Sequence, residues 1–358
     1  MKSIIGMILT VGLLANSSFA YGPRGHAMVG AIADRRLASK PVATTISHLL
    51  DGMTLEAAAN LPDSIKDWDK HPPGQPNAFR IPAHPQIEAQ LIDFWRANKQ
   101  LVDGQAFHRS FHFSDVPVFG MSNYGSGTIG RPNYDIVHMI AFCAGVLNGD
   151  FPANNNRKIT KAVAIILLAH YLGDIHQPLH IGAEYFNKSG QTVNPDISPV
   201  AFNDEGGNTL ALFLDGSTQS VGELHGYWDN QTVETAIELM QTQFKAKHPS
   251  HHGPVTDGDL AQELATIQPA NLLLNGQVKD LSLGWANEIV PVAREAHERL
   301  TFQQIHIVPI HGAPKATGNA IEKLPAAISY EQWSGQVVEN ELHKGGWRLA
   351  ALLERCLH

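Results

Sequence analysis

Apolar residues recur at intervals of three and four along most of the chain, which is the spacing of an amphipathic helix. One of these segments carries three histidines and an aspartate within a stretch that is otherwise expected to bury hydrocarbon. The helical pattern covers Ala27–Leu50, Gln86–Asn98, Tyr134–Leu147, Lys161–Ile175, Thr232–Lys245, Leu260–Leu274, Leu283–Leu300 and Val337–Leu357. The pattern predicts a mainly helical protein.

Alternating strand patterns are few, and Asn208–Leu214 is the best candidate for a strand. Connections rich in proline, glycine and asparagine predict long loops. These are His71–Pro85, Gly120–Asn133, Phe186–Asn208 and His311–Lys323. No segment has the composition of an interdomain tether, and the chain has no repeat or low-complexity tract. We therefore expect an all-α fold, one domain over residues 21–358 with long loops.

The first twenty residues have the pattern of a secretory signal peptide. Lys2 precedes an apolar run, and Ser18-Phe19-Ala20 supplies the small residues of a cleavage site. The apolar run is too short for a lasting membrane anchor, so no stable membrane association is expected. We expect residues 1–20 to be removed after export to the periplasm or the medium, with the mature chain beginning at Tyr21.

The composition is acidic and rich in histidine. The formal charge is −8, and 19 histidines accompany it. An acidic chain lacks the basic footprint by which most nucleic-acid-binding proteins are recognised. A polyanionic substrate would therefore need another source of positive charge. The two cysteines, Cys143 and Cys356, leave a disulfide and two separate thiols equally open.

The unusual segment reads AHYLGDIHQPLH and runs from Ala169 to His180. His170 and Asp174 are four residues apart, so a helix places them on one face. Pro178 disfavours continuation of the helix and allows His180 to return toward that face. The segment is open to three interpretations: a polar core, an acid–base pair, or one wall of a metal site.

A second pair with the same spacing, His225 and Asp229, lies in LHGYWD. A single pair of this kind is more often structural than functional. Two pairs with an additional histidine after a proline turn favour zinc, because neutral imidazole and ionised carboxylate are preferred zinc ligands. A cation would also offset the cost of burying several carboxylates together.

The order of the motifs resembles the S1/P1 family of zinc-dependent single-strand nucleases, which includes plant bifunctional nucleases. The motifs that carry the resemblance are YGPRGH, LPDSIK, FHFSD, AHYLGDIHQPLH, GGNTL, LHGYWD, WANE and GGWRLAALL. They extend over essentially the whole chain after Ala20. The resemblance implies a mostly helical fold, related to that of bacterial zinc phospholipase C, around a trinuclear zinc site.

Carried over by motif, the resemblance implies the following ligands. The first zinc takes Asp63, His112, His170 and Asp174; the second takes His180, His225 and Asp229; the third takes His26, Asp174 and the amino nitrogen and carbonyl oxygen of Tyr21. Asp174 thus bridges two ions. His176 is expected to be a structural neighbour.

The chain departs from the family pattern at two places. Family members usually begin with Trp where this chain has Tyr21, a change that leaves the backbone ligand atoms intact. An insertion at residues 70–106 separates Asp63 from His112, which leaves Asp67 and Asp69 as alternatives to Asp63. A smaller insertion occupies residues 184–205.

The resemblance also implies roles in catalysis. Asp63 and Asp174 would hold the ions at the reacting phosphate, and Lys66 would lie near its developing charge. Phe113 would stack on a base while Asp115 binds the edge of that base. The expected substrates are single-stranded DNA and RNA, cleaved to 5′-phosphate products, and 3′-nucleotides.

Two other functions remain open on the sequence alone. One is a zinc phospholipase C, although Asp229 stands where that family has Glu. The other is a non-catalytic exported zinc-binding protein. The protein is expected to be a monomer.

Overall fold

The computed structural model describes residues 21–66, 68, 79–99, 108–120, 123–310 and 312–357. Its α-helices are α1 Pro23–Leu37, α2 Val42–Leu49, α3 Leu55–Ala58, α4 Leu61–Ile65, α5 Pro85–Asn98, α6 Ile136–Asn148, α7 Lys161–Asp174, α8 Leu224–Asp229, α9 Gln231–Lys247, α10 Asp257–Thr266, α11 Leu281–Glu298 and α12 Tyr330–Cys356. The strands are β1 Val116–Pro117, β2 Gly182–Ala183, β3 Tyr185–Phe186, β4 Phe202–Asn203, β5 Leu210–Phe213, β6 Leu300–Ile310 and β7 Ala313–Glu322. The prediction of a mainly helical fold is confirmed.

Helix α7 lies at the centre of the core. Every residue from Ala162 to Asp174 is buried. The helix begins where the Thr160 hydroxyl accepts a hydrogen bond from the Val163 amide, a capping contact that satisfies one free N–H group. It packs against α1, α6 and α12. Such complete burial places His170 and Asp174 in a region from which water is largely excluded.

Helices α8 and α12 hold the second polar segment in place. The Trp228 indole N–H donates to the Tyr330 hydroxyl at 2.9 Å, and both rings are buried. Farther along α12, the buried Arg348 guanidinium contacts His176 Nε2 at 2.8 Å and forms an ion pair with Glu288. His176 is therefore a hydrogen-bonded neighbour of the polar cluster.

The described strands form small sheets. β5 pairs in parallel with β7, and β7 pairs antiparallel with β6, so the order is β5-β7-β6. β1 pairs in parallel with β2, and β3 antiparallel with β4. The predicted strand at Asn208–Leu214 corresponds to β5.

Two of the predicted helices are shorter than the apolar pattern suggested. The prediction of one helix over Ala27–Leu50 is wrong, because α1 and α2 are separate and Pro41 disfavours helix at Lys40. The helix predicted over Leu260–Leu274 ends at Thr266, because Pro269 disfavours a helical conformation at Gln268.

The loop predicted over His311–Lys323 is wrong, because β7 occupies most of it. Pro309 and Pro314, which suggested a loop, face each other near the end of the β6–β7 hairpin, beyond the part of β7 that pairs with β5. Proline is tolerated there because few ladder hydrogen bonds are lost.

Two further features concern the chain as a whole. Both cysteines are buried and free rather than bonded to each other. Among the helices of the described ranges, none combines the length and apolar character that spanning a bilayer requires.

Candidate metal centre

The first polar group joins three separate elements. Asp63 comes from α4, His112 ends a 3-10 turn that begins at His108, and His170 lies on α7. His112 Nδ1 lies 3.0 Å from His170 Nε2, and Asp63 Oδ1 lies 3.4 Å from the same His170 nitrogen. Asp63 thus joins the group despite the insertion that follows it. The two alternatives to Asp63, Asp67 and Asp69, lie outside the described residues.

Asp174 connects this group to His26 on α1. Its Oδ2 lies 2.9 Å from His112 Nδ1 and 3.2 Å from His170 Nε2, while its Oδ1 lies 3.4 Å from His26 Nε2. The His26 and His170 rings stack at a centroid distance of 3.8 Å. The two oxygens of one carboxylate therefore face two different sets of imidazoles, which is the arrangement expected of a bridging ligand.

The second group consists of His180, His225 and Asp229. Helix α8 places His225 and Asp229 on one face, with Nε2 and Oδ2 3.5 Å apart. A 3-10 turn at Pro178–His180 brings His180 Nε2 to 3.0 Å from His225 Nε2. The four-residue spacing of His225 and Asp229 and the proline turn before His180 thus converge on this group.

Backbone carbonyls orient three of the imidazoles. The Nδ1 atoms of His170, His180 and His225 lie 2.7–2.8 Å from the carbonyl oxygens of Ala59, His112 and Gly206. An Nδ1–H that donates to a carbonyl leaves the Nε2 lone pair free to bind a metal. Gly206 has φ = +61°, a backbone conformation that favours glycine and directs its carbonyl toward His225.

Several buried atoms of these groups have no hydrogen-bond partner among the described residues. They are His26 Nδ1 and Nε2, Asp174 Oδ1 and Asp229 Oδ2. Unsatisfied buried polar atoms are costly unless an ion or water compensates. In each of three sets, the ligand atoms lie within 4.8 Å of one another: His26–His170–Asp174, Asp63–His112–His170 and His180–His225–Asp229. The donor types and their burial fit a metal ion at each set.

Protonation in the absence of metal supports this fit. Burial lowers the pKa of His26 and of His225 to about 3, so both imidazoles are neutral. Burial also opposes a proton on His170, but the adjacent Asp174 and Asp63 carboxylates outweigh it and raise its pKa to about 10. Burial raises the pKa of Asp229 well above its usual value. The cluster therefore favours one positive charge between Asp63 and Asp174, and a cation can replace that proton.

Lys66 and Tyr21 lie at the edges of the cluster. Lys66 Nζ is 2.6 Å from Asp63 Oδ1. Tyr21 is fully buried, and its hydroxyl donates to the carbonyl of His176 at 2.6 Å. The following amide, of Gly22, donates to the carbonyl of Asp229. Tyr21 and Gly22 are thus fixed between the segment that follows Asp174 and the end of α8, which carries Asp229.

A cavity of about 320 Å³ is lined by Ser110, Phe113 and Ser114, which flank His112 in the sequence. Phe113 and Asp115 line it together with Tyr134, Tyr185 and Asn203, and Phe113 is 38% exposed. Burial raises the pKa of Asp115 to about 7. The two residues for which the family resemblance implied base binding therefore line the same cavity.

Some residues of the site were not recognised from the sequence. The Gln177 side-chain amide donates a hydrogen bond to Asp229 Oδ1 at 2.8 Å, and its oxygen accepts one from the Leu179 amide. Gln177 thereby links the turn that carries His180 to Asp229. Its position within the AHYLGDIHQPLH motif was the available signal. Asn203 and Tyr134 gave no comparable signal, because their contacts depend on the packing of distant segments.

Comparison with known proteins agrees with this geometry. A family model described as S1/P1 Nuclease matches residues 21–358. Endonuclease 1 of Arabidopsis thaliana is 23% identical over 252 residues, which cover 66% of this chain and 63% of that protein. Endonuclease 5 of the same plant is 26% identical over 199 residues, 54% of this chain and 50% of that protein.

The chain thus aligns with less than two thirds of the length of these plant endonucleases. The family match, by contrast, extends over all of the residues after Ala20. The shared motifs, the convergence of the ligand sets and this match have one consequence: the chain belongs to the S1/P1 nuclease family.

Proposed function

We propose that the protein is an exported zinc-dependent phosphodiesterase that hydrolyses single-stranded DNA and RNA to 5′-phosphate products and also removes phosphate from 3′-nucleotides. The observation that carries the proposal is the presence of three groups of possible metal ligands, two of which share His170. The cavity of Phe113 and Asp115 supports a nucleic-acid substrate. Export rests on the signal pattern of residues 1–20, which lie outside the described ranges.

The residues of the three groups would hold three zinc ions, with Tyr21 contributing its amino nitrogen and carbonyl oxygen to the third. When bound, zinc supplies Lewis acidity that polarises a phosphoryl oxygen and makes water acidic enough to react near neutral pH. Its positive charge also accounts for how an acidic protein attracts a polyanion into a cleft.

The chain itself supplies orientation and charge. Asp174 connects two ligand sets, because one of its oxygens lies near His112 and the other near His26. Lys66, 15% exposed and paired with Asp63, would stabilise negative charge that develops on the phosphate. Phe113 offers a face on which an unpaired base can stack, and stacking of this kind favours single strands because a paired base is not accessible.

The experiment uses protein that begins at Tyr21. Bound metal is measured by elemental analysis, and hydrolysis is compared for single-stranded DNA, RNA, 3′-AMP and phosphatidylcholine, with and without chelator. We expect three zinc ions per chain, chelator-sensitive hydrolysis of the first three substrates, and 5′-phosphate ends on the oligonucleotide products.

A matched pair of variants separates the site from the rest of the chain. His225→Ala removes a ligand of the second group and should reduce both zinc content and activity, whereas His306→Ala changes an exposed histidine of β6 and should alter neither. Hydrolysis of phosphatidylcholine alone would indicate a phospholipase C. Bound zinc without hydrolysis of any ester would indicate a zinc-binding protein, and metal-free active material would refute the proposal.

A further inference from the structure

Asp115 is held by a residue of the insertion at 184–205. Asn203, on β4, donates its side-chain amide to Asp115 Oδ2 at 2.9 Å, and both residues line the cavity beside Phe113. Within the described residues this is the hydrogen bond that fixes the Asp115 carboxylate. Its main chain is fixed separately, because the Tyr185 hydroxyl donates to the Asp115 carbonyl at 2.8 Å.

Lys315 determines which way the Asn203 amide faces. Lys315 Nζ lies 2.8 Å from Asn203 Oδ1 and 3.2 Å from Glu205 Oε1. An ammonium group can only donate, so the amide oxygen must face Lys315 and the NH₂ group must face Asp115. The lysine lies on β7, so the hairpin of β6 and β7 and the insertion meet at this point of the cavity.

This arrangement leaves Asp115 as an acceptor toward the cavity. Burial raises the pKa of Asp115, whereas the Asn203 amide, which donates to one carboxylate oxygen, and the Lys315 ammonium oppose that rise, so the carboxyl is ionised above about pH 7. Among the described residues, the other oxygen has no hydrogen-bond donor and can accept from a ligand. An ionised carboxylate accepts hydrogen bonds and donates none, so the partner it recognises must present N–H groups.

We infer that Asn203, oriented by Lys315, is a positioning residue that keeps Asp115 an acceptor for an amino group on the edge of the base stacked on Phe113. The inference rests on the proposed function and makes it more specific: substrates whose base carries an exocyclic amino group are preferred over otherwise identical substrates that lack it. The insertion thereby contributes to base selectivity rather than to the metal groups.

The test compares three substrates that share the reaction and differ in the base. They are 3′-AMP, the 3′-phosphate of purine riboside, which lacks only the amino group, and bis(p-nitrophenyl) phosphate, which has no base. Asn203→Ala and Lys315→Met should each raise KM for 3′-AMP by about 10-fold with little change in kcat, the effect expected from losing a charge-assisted hydrogen bond. Neither should alter KM for the other two substrates.

Two variants serve as controls. Lys315→Arg keeps a donor-only cation and should retain the selectivity of the original protein. Asn319→Ala removes a similar amide from β7, where its partner is Gln304, and should leave all three substrates unaffected. Calorimetric binding of 5′-AMP supplies a readout without turnover, and Asn203→Ala should weaken it by a similar factor.

Equal changes for all three substrates, or none for any, would overturn the inference while leaving the proposed function intact. Failure of the original protein to hydrolyse any of the three would instead overturn the proposed function and this inference with it.

Discussion

The imidazole of His26 lies in space that exists because residue 173 is glycine. A Cβ atom added to Gly173 would lie 2.5 Å from His26 Nδ1 and 2.9 Å from its Cε1, distances that real Cβ contacts do not show. Gly173 is buried in the last turn of α7, one residue before Asp174. The approach of α1 to α7, and with it the His26–Asp174 contact, depends on this missing side chain.

Gly173→Ala should therefore lower the zinc content of the protein, although alanine favours the helix. In a helix interior, alanine is more stable than glycine by about 1 kcal/mol. At this position the methyl group must displace the His26 ring, so we expect loss of about one zinc equivalent per chain. Elemental analysis and the zinc dependence of the thermal midpoint measure the effect.

The matched control is Gly284→Ala in α11. A Cβ atom there meets nothing within 4 Å. This variant should gain roughly 0.5–1 kcal/mol of stability and keep its full zinc content. Unchanged metal in Gly173→Ala would show that His26 is not a ligand or that α1 can move without consequence.

Lys66→Met tests charge stabilisation separately from metal binding. Lys66 lies 2.6 Å from Asp63 Oδ1 but is not a metal ligand, so its removal should leave zinc content unchanged. We expect kcat on single-stranded DNA to fall roughly 10²-fold, the usual effect of losing one donor to a developing oxyanion. Lys66→Arg should recover part of the activity.

For this variant the control is Lys40→Met, which removes an exposed lysine paired with Glu354 and should leave kcat unchanged. Full activity of Lys66→Met would show that Lys66 has only a structural role as the partner of Asp63.

The local part of the site could be predicted from the sequence. The spacings from His170 to Asp174 and from His225 to Asp229 place each pair on one helical face, and Pro178 returns His180. These relations depend on helix geometry over a few residues. The inclusion of His26, Asp63 and His112 in the site followed only from the family resemblance. No local pattern indicates that the three segments carrying these residues meet α7.

The hairpin and the base cavity could not be predicted in the same way. β6 and β7 carry prolines and a glycine that locally indicate a loop, and they become strands through pairing with each other and with β5. The contact between Lys315 and Asn203 joins residues separated by 112 positions. Such contacts arise from tertiary packing, for which a single sequence contains little information.

Removal of residues 1–20 should be required for the third metal group. Tyr21 is anchored by its hydroxyl at His176, and Gly22 by its amide at the Asp229 carbonyl. A free amino group has a pKa of about 8, so zinc can displace its proton, whereas a peptide nitrogen is a far poorer ligand. Protein with two extra residues before Tyr21 should bind two zinc ions instead of three and lose most of its activity.

The control for this experiment carries the same two residues after the last residue of the chain. It should bind three zinc ions and be fully active. Three zinc ions and full activity in the protein extended before Tyr21 would contradict the proposed amino-terminal ligand.

The buried pair of His297 and Asp204 should make stability depend on pH. His297 Nε2 lies 3.2 Å from Asp204 Oδ2, and its Nδ1 donates to the Ala293 carbonyl at 2.8 Å. Burial alone would lower the pKa of His297, but the Asp204 carboxylate outweighs burial and raises it. Glu184 also faces His297, and burial raises the pKa of this carboxyl to about 7.

Because the folded protein holds the His297 proton more tightly than the unfolded chain does, the pair stabilises the fold fully below the unfolded pKa of about 6.5. That contribution is lost as the pH rises through the folded pKa. His297→Gln cannot be protonated, so it should be less stable than the original protein by about 1–2 kcal/mol near pH 6, with the difference shrinking toward pH 9. Urea unfolding in saturating zinc measures the difference, and repeating the comparison in a Glu184→Gln background removes the titration of that carboxyl. A difference that is constant with pH would show that folding leaves the pKa of His297 unchanged, and one that shrinks as the pH falls below about 6.5 would show that the folded protein keeps His297 neutral.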